Sequence, residues 1–154
     1  VAGLKWSGLG PDGRIDTWIE GHHAGVRPHT HHQFQDGLTV DDRVFGDPLG
    51  PLSNSWQSGI AWTGAEDILQ VELFREVYSG DDWENEGTPF RWVRVKDNPD
   101  EIRFRIITNW TRNHEMSELQ TSVRFGYEHV TRFDFTDVNR SNYMAQVQFT
   151  WVPN

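Results

Sequence analysis

The feature that most constrains this chain is a long alternation of apolar and polar residues between positions 116 and 135. Val123, Phe125 and Tyr127 take every second place within it. Because successive side chains of a β-strand point to opposite faces, the segment is predicted to be a strand with one apolar and one polar face. The alternation slips at positions 128–129, which predicts a β-bulge or a turn there.

Other segments carry the same type of pattern at shorter length. Strands are predicted at residues 14–20, 38–45, 68–77, 90–96, 101–108 and 145–151, and a further short apolar segment covers residues 4–10. Pro11, Asp12 and Gly13 form a strong turn signal between the segments at residues 4–10 and 14–20. About seven or eight strands in sequence order favour one antiparallel β-barrel or sandwich.

The remaining segments are predicted as one helix and two loops. Residues 51–59 are the only plausible helix, since Pro51 suits a first helical turn and Gly59 suits the end. Residues 21–37 are rich in His, Gly and Pro and are predicted as a long loop, and residues 79–89 as an acidic loop. The expected fold is therefore mainly β, an antiparallel β-barrel with one short α-helix, in a single domain spanning residues 1–154.

Composition limits the classes of function. The formal net charge is −9 at pH 7, which argues against binding to nucleic acid. The chain has no cysteine, so it offers neither disulfides nor thiolate metal ligands. No apolar run approaches the roughly 20 residues of a helical membrane span, and the first residues lack the apolar core of a signal peptide. We therefore expect that the chain does not insert into a membrane and that it assembles in a reducing cytoplasm.

A histidine cluster is the sharpest candidate for chemistry. It comprises His22, His23, His29, His31 and His32. On a strand, His-x-His places two imidazoles on one face, and imidazole binds zinc, iron, nickel or copper. Residues 28–36 loosely resemble the first metal motif of cupins, in which His29, His31 and the later carboxylate of Asp36 are the weak candidates for metal ligands. The second cupin motif has no counterpart, so no native metal or other cofactor is expected.

No other motif specifies an enzyme. The G-x-G-x-x-G match at residues 8–13 leads into a turn and a strand, whereas the dinucleotide fingerprint opens a helix. There is no P-loop, no G-x-S-x-G elbow and no cysteine nucleophile. Eight tryptophans favour a core or an interface, with stacking on sugars in a carbohydrate-binding module as the alternative.

The order of the segments resembles the haemolysin-coregulated protein (Hcp) family, the ring-forming tube subunits of type VI secretion systems, which are similar in fold to phage tail-tube proteins. Residues 4–10 resemble the family's L-K-x-x-G-I strand, residues 68–75 its V-x-L-x-F-Y-R strand, and residues 119–133 its L-x-x-V-x-F-x-Y-x-x-I-x-W strand. Residues 40–45 and 50–52 resemble the strand and helix start that follow the family's long loop.

The resemblance implies a structural subunit without catalysis. It would form a ring, of six subunits in the family, which stacks into the tube of a contractile secretion or injection system. Its partners would be copies of itself, other secretion or tail components and effector cargo, and it would leave the cytoplasm by secretion or belong to a virion tail. The expected subunit contacts are His22, His23, His29, His31, His32, Arg124 and Glu128. The alternative is a small metal-dependent, cupin-like β-barrel enzyme or a carbohydrate-binding module.

Overall fold

Seven long strands form one antiparallel sheet. The computed structural model describes residues 1–25, 39–40, 43–44, 52–86, 91–114 and 119–151. In spatial order the strands are β1 (Ala2–Leu9), β2 (Ile15–His23), β5 (Asn54–Thr63), β6 (Asp67–Tyr78), β9 (Glu101–His114), β10 (Leu119–Thr131) and β11 (Arg140–Trp151). Within this sheet, each strand therefore pairs with the sheet strands that come before and after it along the chain.

Two small hairpins interrupt this order. One consists of β3 (Thr39–Val40) and β4 (Arg43–Val44), and the other of β7 (Asp82–Glu86) and β8 (Arg91–Lys96). Each hairpin forms a sheet of its own and lies, in sequence, between two neighbouring strands of the large sheet.

The connections differ in length at the two ends of the sheet. Residues 10–14, 64–66 and 115–118 join strands at one end, which we call the short-turn end. Residues 24–53, 79–100 and 132–139 join strands at the opposite end, the long-connection end. The first short turn is the predicted one, with a hydrogen bond from the amide of Gly13 to the carbonyl of Gly10 at 3.2 Å. Gly10 and Gly13 both have positive φ, which glycine adopts without a steric cost.

The predicted helix at residues 51–59 is wrong. Residues from Asn54 onward belong to β5, which pairs with β2 on one side and β6 on the other. The physical reason is visible in the sequence period. Trp56, Ile60 and Trp62 stand at even spacing, which suits a pleated strand, whereas a helix of Ser, Asn, Trp and Gly has poor intrinsic propensity.

The predicted barrel is also not what the described residues form. The sheet is open, with β1 and β11 as edge strands that pair on one side only within the described part of the chain. The coarser prediction, an antiparallel and mainly β fold, is confirmed. Every strand predicted within the large sheet is present, and β9 and β11 extend well beyond their predicted limits.

The slip in the alternation at positions 128–129 is not a bulge. β10 pairs without interruption with β9 from Leu119 to Thr131 and with β11 from Leu119 to Val130. The slip arises from Val130, an apolar residue on the polar side of the strand that is only 1% exposed. The turn comes later, where Phe133–Phe135 forms a single 3₁₀ turn.

The two predicted loops are only partly correct. The acidic segment at residues 79–89 contains strand β7, so it is not loop throughout. In the segment at residues 21–37, residues 21–23 belong to β2, and residues 26–37 lie outside the described part of the chain. The predicted strand at residues 38–45 corresponds to the β3–β4 hairpin.

Candidate functional site

The two faces of the large sheet have different chemistry, and the strand register determines which residues share a face. In an antiparallel pair, residues directly opposite each other point to the same side. Val71 is opposite both Ile60 and Thr108, and Thr108 is opposite Phe125. Extending these pairings across all seven strands assigns each residue to one of two sets.

The first set, which we call the apolar face, is predominantly aliphatic and aromatic. Its large members are Leu4, Trp6, Ile15, Ile19, Trp56, Ile60, Trp62, Leu69, Val71, Leu73, Val77, Ile102, Phe104, Ile106, Trp110, Leu119, Val123, Phe125, Tyr127, Tyr143, Val147, Phe149 and Trp151.

The apolar face is open to its surroundings. Tyr143 is 74% exposed, Trp151 68%, Phe149 67% and Trp56 56%. Among the described residues, the only buried hydrophobic side chains are those of Ala24 and Val130. A soluble monomer rarely leaves an apolar patch of more than a few hundred Å² uncovered, so a surface of this extent marks an interaction site.

Aromatic residues on the apolar face concentrate toward its two ends. Trp62, Trp110, Phe149 and Trp151 lie toward the short-turn end, and Trp56, Phe104, Tyr127 and Tyr143 lie toward the long-connection end. The band between them is mainly aliphatic, although Trp6 and Phe125 lie within it, in the same cross-strand row as Ile60. Along β5, Trp56 and Trp62 are about 20 Å apart at roughly 3.4 Å per residue.

Charged and imidazole side chains on the apolar face are confined to the same two ends within the described strands. Arg75, His23 and His129 lie toward the long-connection end. Asp67, Arg112 and His114 lie toward the short-turn end, where Arg112 is 3.9 Å from Asp67. The aliphatic band between the two ends therefore carries no charge.

The second set, the polar face, carries ion pairs and hydrogen bonds that cross the strands. Arg105 forms a salt bridge with Glu76 on β6, and its Nε lies 3.8 Å from Glu128 on β10. Glu128 also accepts a hydrogen bond from the side-chain amide of Asn142 on β11 at 2.9 Å. These contacts link four neighbouring strands through polar side chains alone.

A buried carboxylate lies at the long-connection end of the polar face. Glu101 is 3% exposed, and its Oε1 accepts a hydrogen bond from Nε of Arg103 at 2.6 Å. Its Oε2 accepts a hydrogen bond from the backbone amide of Asp134, also at 2.6 Å. Glu101 therefore ties the connection between β10 and β11 to the start of β9.

The predicted interface residues divide into three groups. Arg124 and Glu128 lie on the polar face, in β10. His22 and His23 are neighbours in β2 and so point to opposite faces, with Nδ1 of His23 2.7 Å from the side-chain oxygen of Asn54. His29, His31 and His32 lie outside the described residues, as does Asp36. Their role in metal binding or subunit contact therefore stays a prediction.

Within the described residues, no group of three or more His, Asp or Glu side chains is placed to hold a metal ion. The same residues contain no helix long and apolar enough to cross a membrane.

Comparison with known proteins gave no match to a protein-family model, to a curated protein or to a solved structure. The two faces of the sheet are therefore the basis for assigning a function. Sequence reasoning emphasised His22 to His32 and missed the apolar face as a site. The signal was present, because strands such as β10 and β11 alternate in hydropathy and the register brings their apolar positions to one side.

Proposed function

We propose that this chain forms part of the wall of a strand-built membrane pore. In this arrangement the apolar face contacts lipid and the polar face contacts water. The observation that carries the proposal is the continuity of the apolar face across seven paired strands, with nothing among the described residues to cover it.

The distribution of residues on the apolar face favours lipid over a protein partner. Membrane-spanning strands carry aromatic residues at both water interfaces and an apolar band about 25 Å tall between them. The aromatic clusters around Trp56 and around Trp62 likewise lie on either side of an uncharged, mainly aliphatic band, and charged groups such as Arg75 and Asp67 lie only at its ends. A protein–protein interface has no reason to order its aromatic, aliphatic and charged residues along one axis.

The lengths of the longer strands suit the thickness of a bilayer. β6 has 12 residues and is therefore about 40 Å long, and at a tilt of about 40° it crosses about 30 Å. Short turns at one end and longer connections at the other are also typical of membrane-spanning strands.

The backbone sets one requirement on such a wall. In hydrocarbon every amide and carbonyl must be hydrogen-bonded, so no sheet edge can face lipid. The free edges of β1 and β11 must therefore pair with additional strands when the sheet is in a bilayer. The proposal thus includes closure of the sheet through these two edges.

This proposal departs from the expectation of no membrane insertion. That expectation rested on the absence of an apolar run of about 20 residues, a criterion that applies to helices. A strand that alternates apolar and polar residues presents the same apolar surface to lipid without any such run. Residues 140–151 are an example, with Val147 and Phe149 between Gln146, Gln148 and Thr150.

Cysteine labelling tests the proposal, because the chain has no native cysteine. Single variants Gln146→Cys, Val147→Cys and Gln148→Cys are refolded into phosphatidylcholine vesicles and treated with a membrane-impermeant maleimide. We expect Gln146→Cys and Gln148→Cys to react and Val147→Cys to be protected. Val147→Cys should react as fast as the other two after vesicle-bound protein is dissolved in urea.

Two results would overturn the membrane assignment. One is equal labelling of all three variants in vesicles, and the other is failure of the protein to associate with vesicles under any refolding condition. Protection of Val147→Cys already in lipid-free buffer would instead place a protein partner on the apolar face.

The tube subunit suggested by the resemblance is the second candidate. It is favoured by the same open edges, because copies of the chain could continue the sheet into a ring. In that case light scattering and negative-stain images of detergent-free protein would show rings or stacked tubes. A membrane wall would require detergent or lipid to remain dispersed.

A further inference from the structure

The polar face contains a depression that no side chain of the described residues occupies. Its volume is about 390 Å³, and its polar lining consists of Gln70, Asn109, Thr111, Ser122, Arg124 and Gln146, together with Gln148. Four of these residues form one row across four strands. Gln70 is opposite Asn109, Asn109 is opposite Arg124, and Arg124 is opposite Gln146.

Arg124 differs from the other cations of the polar face. Arg103 pairs with Glu101, Arg105 pairs with Glu76, and Lys5 lies 3.7 Å from Asp16. Arg140 lies over the ring of Phe133, with 5.0 Å between the guanidinium carbon and the ring centroid. Arg124 is exposed and has no ion pair, hydrogen bond or ring contact with any described residue.

The residues beside Arg124 add neutral hydrogen-bonding groups. Asn109 and Gln146 are its direct cross-strand neighbours, with Cβ atoms about 5 Å apart in such pairs. Each carboxamide has two N–H donors and a carbonyl acceptor. The hydroxyls of Thr111 and Ser122, 3.1 Å apart, occupy the next row toward the short-turn end.

We propose that this row, Gln70–Asn109–Arg124–Gln146, binds a small solute that carries both a carboxylate and hydroxyl groups. The guanidinium presents parallel N–H donors that match the two oxygens of a carboxylate. The carboxamides both donate to and accept from hydroxyl groups, which a purely cationic site does not. The solute class is therefore a hydroxy acid of sugar-acid type rather than a neutral sugar or a simple anion.

The inference rests on the proposed function in one respect, since it takes the polar face to be the water-filled side of the wall. The binding site itself needs no bilayer and can be measured on protein refolded in detergent micelles. Absence of binding in micelles would therefore leave the cysteine-labelling result in vesicles unaffected, and the two proposals can fail separately.

Calorimetric titration of micellar protein with three probes tests the proposal. The probes are gluconate, which has both groups, acetate, which has only the carboxylate, and glucose, which has only hydroxyls. We expect gluconate to bind most tightly, and Arg124→Gln to weaken its binding by about tenfold or more while leaving glucose unchanged. Asn109→Ala should weaken gluconate by a smaller factor and leave acetate nearly unchanged.

The matched control is Arg140→Gln, which removes a cation from the same face that already has an aromatic partner. It should leave gluconate binding at the level of the unmodified protein. The proposal is overturned if gluconate binds no better than acetate and glucose, or if Arg140→Gln weakens it as much as Arg124→Gln does. Retained strand content in the circular dichroism spectrum shows that each variant is folded.

Discussion

The indole of Trp18 on β2 lies directly over Gly59 on β5. The two residues are cross-strand partners on the polar face, and a Cβ placed on Gly59 would lie 2.1 Å from Cζ2 of the indole. No real Cβ tolerates that distance. Gly59 is therefore required by the close approach of the ring, and not by its backbone angles.

Replacing Gly59 with Ala is expected to force the Trp18 ring off the sheet. We expect a loss of about 1–3 kcal/mol in the free energy of unfolding, as for other overpacked sites. Gly21→Ala should cost less, because the Cβ would lie 3.0 Å from the indole of Trp56, a distance that a small shift of the ring relieves. Denaturant unfolding of micellar protein, followed by tryptophan fluorescence, measures both.

Gly25→Ala is the matched control, since a Cβ at Gly25 meets no atom of the described residues within 4 Å. It should leave the unfolding midpoint within experimental scatter. If all three alanine variants unfold at the same denaturant concentration, the close packing of the indole on Gly59 does not contribute to stability.

Glu101 is expected to be the polar side chain most important for the long-connection end. In Glu101→Gln one of the two carboxylate oxygens becomes an amide nitrogen, so either Arg103 or the amide of Asp134 loses its acceptor. Because both partners meet a nearly buried group, we expect a cost of about 1–3 kcal/mol. Amide hydrogen exchange at Asp134 should also accelerate.

The control for this prediction is Glu72→Gln, a half-buried carboxylate on the same face for which no described residue is a hydrogen-bonding or ionic partner. Its unfolding free energy should change by no more than about 0.5 kcal/mol. Equal effects of the two substitutions would mean that Glu101 acts through its charge alone and not through its two hydrogen bonds.

Local alternation made the strands predictable, and the same signal explains the errors. The pattern around Val123 and Phe125 extends over more than a full strand, so β10 was predictable within a few residues. The segment from residue 51 to 59 has a proline and a glycine at helix-like places, and these outweighed the spacing of Trp56 and Ile60. Strand pairing on both sides decided that conflict in favour of β5.

The openness of the sheet and the composition of its apolar face could not be predicted from the sequence, because both depend on the register of the strand pairs. Alternation in β6 alone indicates that Leu69, Val71 and Leu73 share a face, but not which face of β9 they join. The register aligns them with Trp110, Thr108 and Ile106. Barrel closure was expected from the number of predicted strands, but that number does not determine whether the first and last strands pair with each other. Arg124 was predicted as an interface residue. That its guanidinium has no ionic or hydrogen-bonding partner among the described residues could be found only from the structure.

A charge in the middle of the apolar face is expected to destabilise the protein in a bilayer more than one on the polar face. Ile60 lies in the middle of the apolar face, 47% exposed, on the same strand as Trp56 and Trp62. In a bilayer the variant Ile60→Arg places a charge near the midplane, which costs about 2–4 kcal/mol in membrane-spanning strands. The control Gln57→Arg adds the same charge to the polar face of the same strand and should cost no more than about 0.5 kcal/mol. Unfolding of vesicle-bound protein by guanidinium measures both.

Bilayer thickness distinguishes lipid from a protein partner at Ile60. An arginine in lipid reaches the headgroups more easily when the bilayer is thin, so the cost of Ile60→Arg should fall as the acyl chains are shortened from 18 to about 12 carbons. An arginine in a protein–protein contact would have the same cost in every lipid. A thickness-dependent cost for Ile60→Arg with none for Gln57→Arg supports the lipid-facing wall, and a constant cost would contradict it.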